Sequence, residues 1–312
     1  MNLLLVIMVA ATLPTFSELR RIDRDRRQTG QMQTPESLAV TRVDPVLINT
    51  VVAAHPADGT IWWGAAELLG DWSRQRAMFE SALSAGGTND QVALRFACAA
   101  ARQHEFTLAL TWFRYCQTND VTNLVPWLGE LWVLRQQHEP LAFANDACRR
   151  ATEFRDYGIE ASRARIKLLE MAGYSPYAAR RLGVNAESMA LRMVQEFSKV
   201  PLGGALVPFL TTVARAMQAH PRFFVTELVG QSLEGTLLVA RNDPSSAAVQ
   251  TRGTVLSERR EDIKALVASV EQRAIDVATE EQMVRYFDAV LTDGEELAMK
   301  WLLDDVRRKL SR

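Results

Sequence analysis

Four histidines are the side chains of this sequence whose ordinary chemistry includes metal ligation and proton transfer near neutral pH. They stand at positions 55, 104, 138 and 220. A zinc site on a helix needs two histidines four residues apart, and this spacing does not occur. His104 and His138 lie in the similar stretches RQHEF and QQHEP, so we interpret them as structural members of a repeat. The sequence predicts no metal and no cofactor.

The sequence also matches no nucleophilic or acid–base motif in full. The stretch GQSLEG (230–235) resembles a nucleophile elbow, but Glu234 stands where that turn requires glycine. Cys98, Cys116 and Cys148 form no CxxC pair, and we interpret them as small buried apolar side chains. The adjacent carboxylates Asp304 and Asp305 diverge by about 100° around a helix, which suits a solvated face rather than an acid–base pair. The sequence therefore predicts no catalytic residue, and an enzyme with an unrecognised site stays an alternative.

Composition restricts the class of partner. The chain has 36 basic and 37 acidic side chains, a net charge of -1, and an apolar fraction of 48%. These values are typical of a folded globular protein, and they give no general attraction to nucleic acid. We therefore expect no nucleic-acid partner, and no motif indicates a small-molecule substrate.

The first residues call for a separate interpretation. The uncharged run MNLLLVIMVAATLPTFS (1–17) precedes the charged run ELRRIDRDRRQ. As a helix the first run reaches about 25 Å, slightly less than the roughly 30 Å of a hydrocarbon layer. We favour a membrane anchor at 1–17, with a cleaved signal peptide or a buried helix as alternatives, and a charged juxtamembrane stalk at 18–43. The arginines between Arg20 and Arg27 predict a cytoplasmic body by the positive-inside rule, or an exported one if the segment is cleaved.

A repeat of 34 to 35 residues organises the next part of the chain. Large side chains recur in three columns of equivalent positions, and small ones in a fourth. The columns are Trp62, Phe96 and Leu131; Trp72, Phe106 and Leu141; Phe79, Phe113 and Cys148; and Ala82, Cys116 and Ala151. Alternating large and small columns suit two packed antiparallel helices, so each unit is predicted to be helix, turn and helix.

The segments GDWSRQRAMFESAL, EFTLALTWFRYC and PLAFANDACRRA resemble the turn and second helix of the tetratricopeptide repeat superfamily. Its unit is a helix-turn-helix of about 34 residues. In the first helix only Ala97 matches the small residue of that family, because Trp63 and Trp132 occupy the same column. The resemblance covers about 56–155, and irregular neighbours extend the repeat region to 44–182.

The second half of the chain, 183–312, keeps the helical period without the repeat. Apolar residues stand at helical spacing in two stretches, at 190–197 and 263–270, and the stretch TEEQ (279–282) is typical of a helix start. We therefore predict an all-α protein, a tetratricopeptide-like α-solenoid of antiparallel helix pairs with an irregular helical C-terminal half.

The resemblance implies a concave face that is lined by the first helices and binds a peptide or a partner subunit. Its candidate binding residues are Arg95, Arg102, Gln136, Arg165 and Trp63, of which Trp63 either faces the groove or packs on the preceding unit. The predicted function is that of a non-enzymatic interaction or scaffold protein, tethered to a membrane. A structural subunit or assembly factor within a larger membrane complex is the main alternative.

Overall fold

The computed structural model describes residues 13–29, 43–86, 89–139, 150–186, 188–199, 206–241 and 247–311. Within these ranges the chain forms fifteen helices and no β-strand. The all-α prediction is therefore confirmed. Helix α1 (Phe16–Thr29) precedes the predicted repeat region, which begins with α2 (Pro45–Ala54), α3 (Gly59–Leu68), α4 (Trp72–Ser84), α5 (Asn89–Arg102), α6 (Phe106–Asn119) and α7 (Val125–Gln136).

The remaining described helices begin after residue 157. They are α8 (Gly158–Met171), α9 (Pro176–Gly183), α10 (Met189–Phe197), α11 (Val207–Ala219), α12 (Phe224–Arg241), α13 (Ala247–Arg273), α14 (Glu280–Asp293) and α15 (Glu295–Leu310). The predicted start at TEEQ is confirmed, since Thr279 and Gln282 exchange side-chain and backbone hydrogen bonds at the start of α14.

Aspartates begin three successive helices of the repeat region. An Oδ1 atom of Asp44, Asp58 and Asp71 accepts a hydrogen bond from a backbone N–H of the first turn, at 2.8, 3.0 and 3.0 Å. Each carboxylate satisfies an N–H that has no partner inside its helix and complements the positive end of the helix dipole. The sequence thereby sets where α2, α3 and α4 start.

Consecutive helices of the repeat region pack on one another, α3 on α4, α5 on α6, and α6 on α7. Helices later in the chain pack back on these. Helix α8 lies against α3, and α10 lies against α5 and α7. At the first of these contacts Gly64 allows close approach, because a Cβ there would stand 2.5 Å from the Ala164 carbonyl oxygen.

Two large apolar cores hold the molecule together, and each takes residues from both sides of residue 183. One joins Phe113 and Leu128 to Phe197 and Leu210. The other joins Ile61 to Leu302, together with buried residues of α8 and α9. The second half of the chain is therefore packed into the same cores as the repeat region.

The predicted membrane-anchored localisation is wrong. Among the described residues no helix combines the length and the apolar character needed to cross a bilayer. Residues 1–12 of the predicted anchor lie outside the described part of the chain. The apolar residues after them serve the core instead: Phe16 contacts the Tyr177 ring edge-on at 4.7 Å, and Leu19 and Ile22 are buried. The first part of the predicted stalk is thus a helix packed on the body, joined to it by the ion pair of Asp23 with Arg181.

Candidate functional site

The predicted binding residues lie mostly on one side of α3, α5 and α7, the side that meets α8 and α10, which we call the inner surface. Trp63 lies on α3 and is only 4% exposed. Its indole N–H donates to Oε1 of Glu67 at 3.3 Å, one helical turn further on. Trp63 therefore lies on the inner surface and is covered there.

Glu67 and Arg95 form a two-pronged ion pair between α3 and α5. Nε and Nη2 of Arg95 donate to Oε1 and Oε2 of Glu67, both at 2.7 Å. The two side chains are 8% and 10% exposed. Parallel hydrogen bonds between a guanidinium and a carboxylate are among the strongest in proteins, so this pair fixes the two helices relative to each other.

Arg165 brings α8 into the same cluster. Its Nη1 lies 3.4 Å from Oε2 of Glu67, Nε donates to the Gly183 carbonyl at 2.7 Å, and Nη2 donates to Ser162 Oγ at 2.8 Å. The side chain is 4% exposed. A cavity of about 520 Å³ borders Glu67 and Arg165 at the end of α3, and both charges are already engaged by protein groups.

The charges in this cluster control one another's protonation. Burial by itself raises the pKa of Glu67, but Arg95, Arg165 and the Trp63 N–H outweigh it and lower that pKa to about 2. Burial and the like charge of Arg95 together lower the pKa of Arg165 to about 10, against the attraction of Glu67. Glu67, Arg95 and Arg165 are therefore all charged at neutral pH. The Glu67 carboxylate is the counter-charge of both guanidinium groups.

A second carboxylate closes the other end of the inner surface. Trp132 on α7 occupies the same repeat column as Trp63, and its indole N–H donates to Glu196 Oε2 at 2.6 Å. Gln136 Nε2 donates to the same oxygen at 3.3 Å. Glu196 belongs to α10, so α10 covers α7 as α8 covers α3. Gln136 is half-buried in this contact.

These contacts show where the candidate binding residues lie. Trp63 of α3, Arg95 of α5 and Arg165 of α8 are largely buried around Glu67 within the chain. The later helices cover the apolar groups of the inner surface, and its charged groups are paired within the chain. Neither kind of group then bears the free-energy cost of exposed apolar area or of an unpaired buried charge. Arg102, by contrast, is exposed at the end of α5.

The turns after α5 and α7 have the same geometry. His104 and His138 both adopt left-handed backbone conformations, with φ of 60° and 59°. The N–H of Glu105 donates to the Ala100 carbonyl at 2.9 Å, and that of Glu139 donates to the Leu134 carbonyl at 2.9 Å. Both turns end a helix in the same hydrogen-bonding pattern. Their exposed side chains, together with Arg102 and the half-buried Gln136, form a polar edge that we call the turn edge, residues 102–105 and 136–139.

Sequence reasoning missed the two carboxylates that organise the inner surface, Glu67 and Glu196. Glu67 carries a local signal, since it lies one turn after Trp63 on the same helix face. No local signal marks Glu196 as part of this surface, because its partners there, Trp132 and Gln136, are 60 or more residues away, and its local partner Arg192 forms an ordinary i,i+4 pair with it.

Metal and thiol chemistry receive no support from the described part of the chain. It holds no cluster of three or more histidine, cysteine, aspartate or glutamate side chains suited to a metal ion. Cys98 and Cys116 are buried, and burial raises the pKa of the Cys98 thiol to about 12. Cys148 lies outside the described residues.

Comparisons with protein-family models, with curated proteins and with solved structures found no match. The functional proposal that follows is based on the geometry of this chain.

Proposed function

We propose that the protein is a non-enzymatic, tetratricopeptide-like scaffold of antiparallel helix pairs that binds a partner protein along its turn edge. The observation that carries the proposal is the recurrence of one turn, with the same backbone geometry and nearly the same polar residues, 34 positions apart at His104 and His138. Equivalent turns in stacked repeats present equivalent side chains to the same side of the molecule.

The covered inner surface favours this edge over a concave groove. Of the predicted binding residues, Arg102 and Gln136 are the ones in the turn edge, and Arg102 is exposed. Guanidinium and amide groups there suit carboxylates and backbone carbonyls of a partner segment. Gln136 is held by its hydrogen bond to Glu196 of α10, and a side chain that is already fixed loses less entropy on binding.

The two histidines support a role beyond turn formation. A left-handed residue at a helix end is usually glycine, because a side chain is disfavoured there. Both turns nevertheless carry histidine in that conformation. Backbone strain retained at equivalent positions is typical of residues whose side chains are needed, although the His104 ring also contacts Phe106 edge-on at 5.5 Å.

Site-specific photo-crosslinking tests the proposal. A benzophenone amino acid placed at Gln103 or Gln137, both exposed, should give one discrete adduct with a partner protein in cells. The same group at the exposed Ser257 on α13 should not give that adduct. Replacing Arg102 with Glu should abolish the adduct without changing the melting temperature, because an exposed side chain contributes little to stability.

A matched charge reversal away from the turn edge shows whether Arg102→Glu acts at that edge or only through the net charge of the protein. Lys264→Glu alters an exposed pair on α13 and should leave the adduct unchanged. Adducts of equal yield at Gln103 and Ser257 would contradict binding at the turn edge. An adduct that persists in Arg102→Glu would contradict it as well.

A further inference from the structure

Helix α1 contacts the rest of the protein mainly through one face. Phe16, Leu19, Arg20, Asp23 and Arg24 stand at i, i+3, i+4, i+7 and i+8, which places them on the same side of a helix. Leu19 is buried in one of the two large cores, and the Phe16 ring packs against that core. Amphipathic helices that bind in a groove of another protein use this spacing.

The surface that receives this face is formed by α9 and by the chain that follows α13. We call it the α1 docking site, and its residues are Tyr177, Arg181, Ile275 and Asp276. The Phe16 ring contacts the Tyr177 ring edge-on at 4.7 Å, and Arg20 donates to the Ile275 carbonyl at 2.6 Å. The site therefore accepts an aromatic ring and a guanidinium of α1 at defined positions.

Two ion pairs of opposite polarity make the docking site selective. Arg181 donates two hydrogen bonds to the Asp23 carboxylate, and Nε of Arg24 lies 3.6 Å from Oδ1 of Asp276. Glu280 lies close by and adds a carboxylate on the side of the body. A helix without this order of charges would meet like charges at the site, which disfavours its binding.

The contact between α1 and the body is less tightly packed than the cores. A cavity of about 320 Å³ remains between α1, α9 and α14. Side chains that line a cavity lack part of the dispersion contacts of a close-packed interior. Arg24 and Asp276 are also 49% and 43% exposed, and exposed ion pairs contribute little to stability. The contact is thus selective in its charges but loosely packed.

The connection to α2 leaves α1 within reach of more than one docking site. Residues 30–42 join α1 to Val43, and a chain of this length spans at most about 45 to 50 Å. A single helix of 14 residues is only marginally stable in water. Helix α1 therefore needs a docking site, and the site of another copy provides the same contacts as its own.

We propose that the α1 docking site binds α1 of a second copy of this chain, so that two copies exchange their first helices and form a symmetric dimer. Each copy gives one helix and receives one, so the assembly is closed. The connection sets the effective concentration of the chain's own α1, and the dimer fraction therefore rises with protein concentration. Such a dimer carries two turn edges. That consequence rests on the function proposed above, whereas the exchange does not.

Charge reversal at the docking site tests the exchange with two full-length variants. Asp23→Arg brings two arginines together and Arg181→Asp brings two aspartates together, so each variant alone loses an ion pair between α1 and its own site. In an equal mixture, the introduced arginine of one chain meets the introduced aspartate of the other, and the native pair forms at the second site. Analytical ultracentrifugation should show at least about tenfold more dimer in the mixture than in either variant alone, because two like-charge contacts become two ion pairs.

Two controls belong to this experiment. The chain that carries both substitutions should be as monomeric as the wild type at the same concentration, because its own α1 again matches its own site. Arg114 and Glu130 lie 2.8 Å apart and join α6 to α7 within the body, so a mixture of Arg114→Glu and Glu130→Arg should give no dimer. Equal dimer content in the mixture of the docking-site variants and in each variant alone would overturn the proposal. A dimer of the same yield from the Arg114 and Glu130 variants would overturn it as well.

Photo-crosslinking keeps the test independent of the charge pair. A benzophenone amino acid replaces Phe16, whose ring contacts Tyr177, in chains of normal isotope composition. These chains are mixed at high concentration with wild-type chains that carry heavy isotopes. Exchange predicts adducts that join α1 of a light chain to α9 of a heavy chain, in a yield that rises with concentration. Adducts confined to single light chains at every concentration, or adducts on another part of the heavy chain, would contradict exchange at this site.

Discussion

Glu67 is the residue on which the inner surface depends most. Its carboxylate accepts hydrogen bonds from Trp63, Arg95 and Arg165, which come from three different helices. A buried carboxylate that is removed from such a cluster leaves two guanidinium groups without a counter-charge in a medium of low dielectric constant. Glu67 therefore both joins these three helices and balances the buried positive charges.

Replacing Glu67 with Gln should lower the free energy of unfolding by about 3 to 5 kcal/mol, the usual cost of breaking a buried ion pair. Urea denaturation monitored by far-UV circular dichroism measures this loss. Glu80→Gln is the control, because Glu80 pairs with Arg76 on an exposed helix face and such pairs contribute little. A loss below about 1 kcal/mol for Glu67→Gln would contradict the buried cluster.

The same residue predicts a pH dependence. The folded pKa of Glu67 is about 2, below the usual 4.5 of a glutamate carboxyl, so the stabilisation that its charge provides is complete above the unfolded pKa. It is lost as the pH falls toward 2, because the unfolded chain then binds the proton more readily. Between pH 5 and pH 2 the wild type should lose about 3 kcal/mol more stability than Glu67→Gln. Urea titrations at several pH values test this, and parallel pH profiles would contradict it.

At the scale of elements, the contact between α3 and α8 closes the inner surface. Gly64 stands where a Cβ would lie 2.5 Å from the Ala164 carbonyl oxygen and 3.2 Å from the Leu168 Cβ. Neither backbone carbonyl nor Cβ moves away easily, so the distance between the two helices is set by the missing side chain at Gly64.

Gly64→Ala should therefore destabilise the protein by about 1 to 3 kcal/mol, although alanine is the better helix former. Gly235→Ala on α12 is the control, since nothing lies within 4 Å of a Cβ there. It should stabilise by about 0.5 to 1 kcal/mol. Thermal denaturation of the two variants measures both effects. If Gly64→Ala were as favourable as Gly235→Ala, α8 would not lie against α3.

Helices and turns were predictable from the sequence because their causes are local. The apolar period predicted helices in both halves, and the equivalent positions of His104 and His138 correspond to two turns of one geometry. The return of α8 onto α3 was not predictable, because an amphipathic pattern shows which face is buried and not what covers it. The same ambiguity affected the adjacent tryptophans: Trp63 is buried, whereas Trp62 is half-buried and donates to the Pro56 carbonyl.

At the scale of the molecule, the two halves of the chain share their cores. Both large cores join residues on either side of residue 183, and α1 packs on α9. The exposure of the candidate residues Trp63, Arg95 and Gln136 depends on α8 and α10, which lie about 60 to 100 residues later in the chain. Long-range closure of this kind has no local sequence signal.

Closure of the inner surface by α8 and α10 is tested most directly by oxidative footprinting of the native protein, with mass spectrometry resolving each aromatic residue. Trp63 and Trp132 are 4% and 3% exposed, and Tyr115, at 37%, is an exposed aromatic reference. Hydroxyl radicals should modify Trp63 and Trp132 much more slowly than Tyr115 and the adjacent, half-buried Trp62. Oxidation of Trp63 and Trp132 at rates like that of Tyr115 would show an open groove and contradict the closed inner surface.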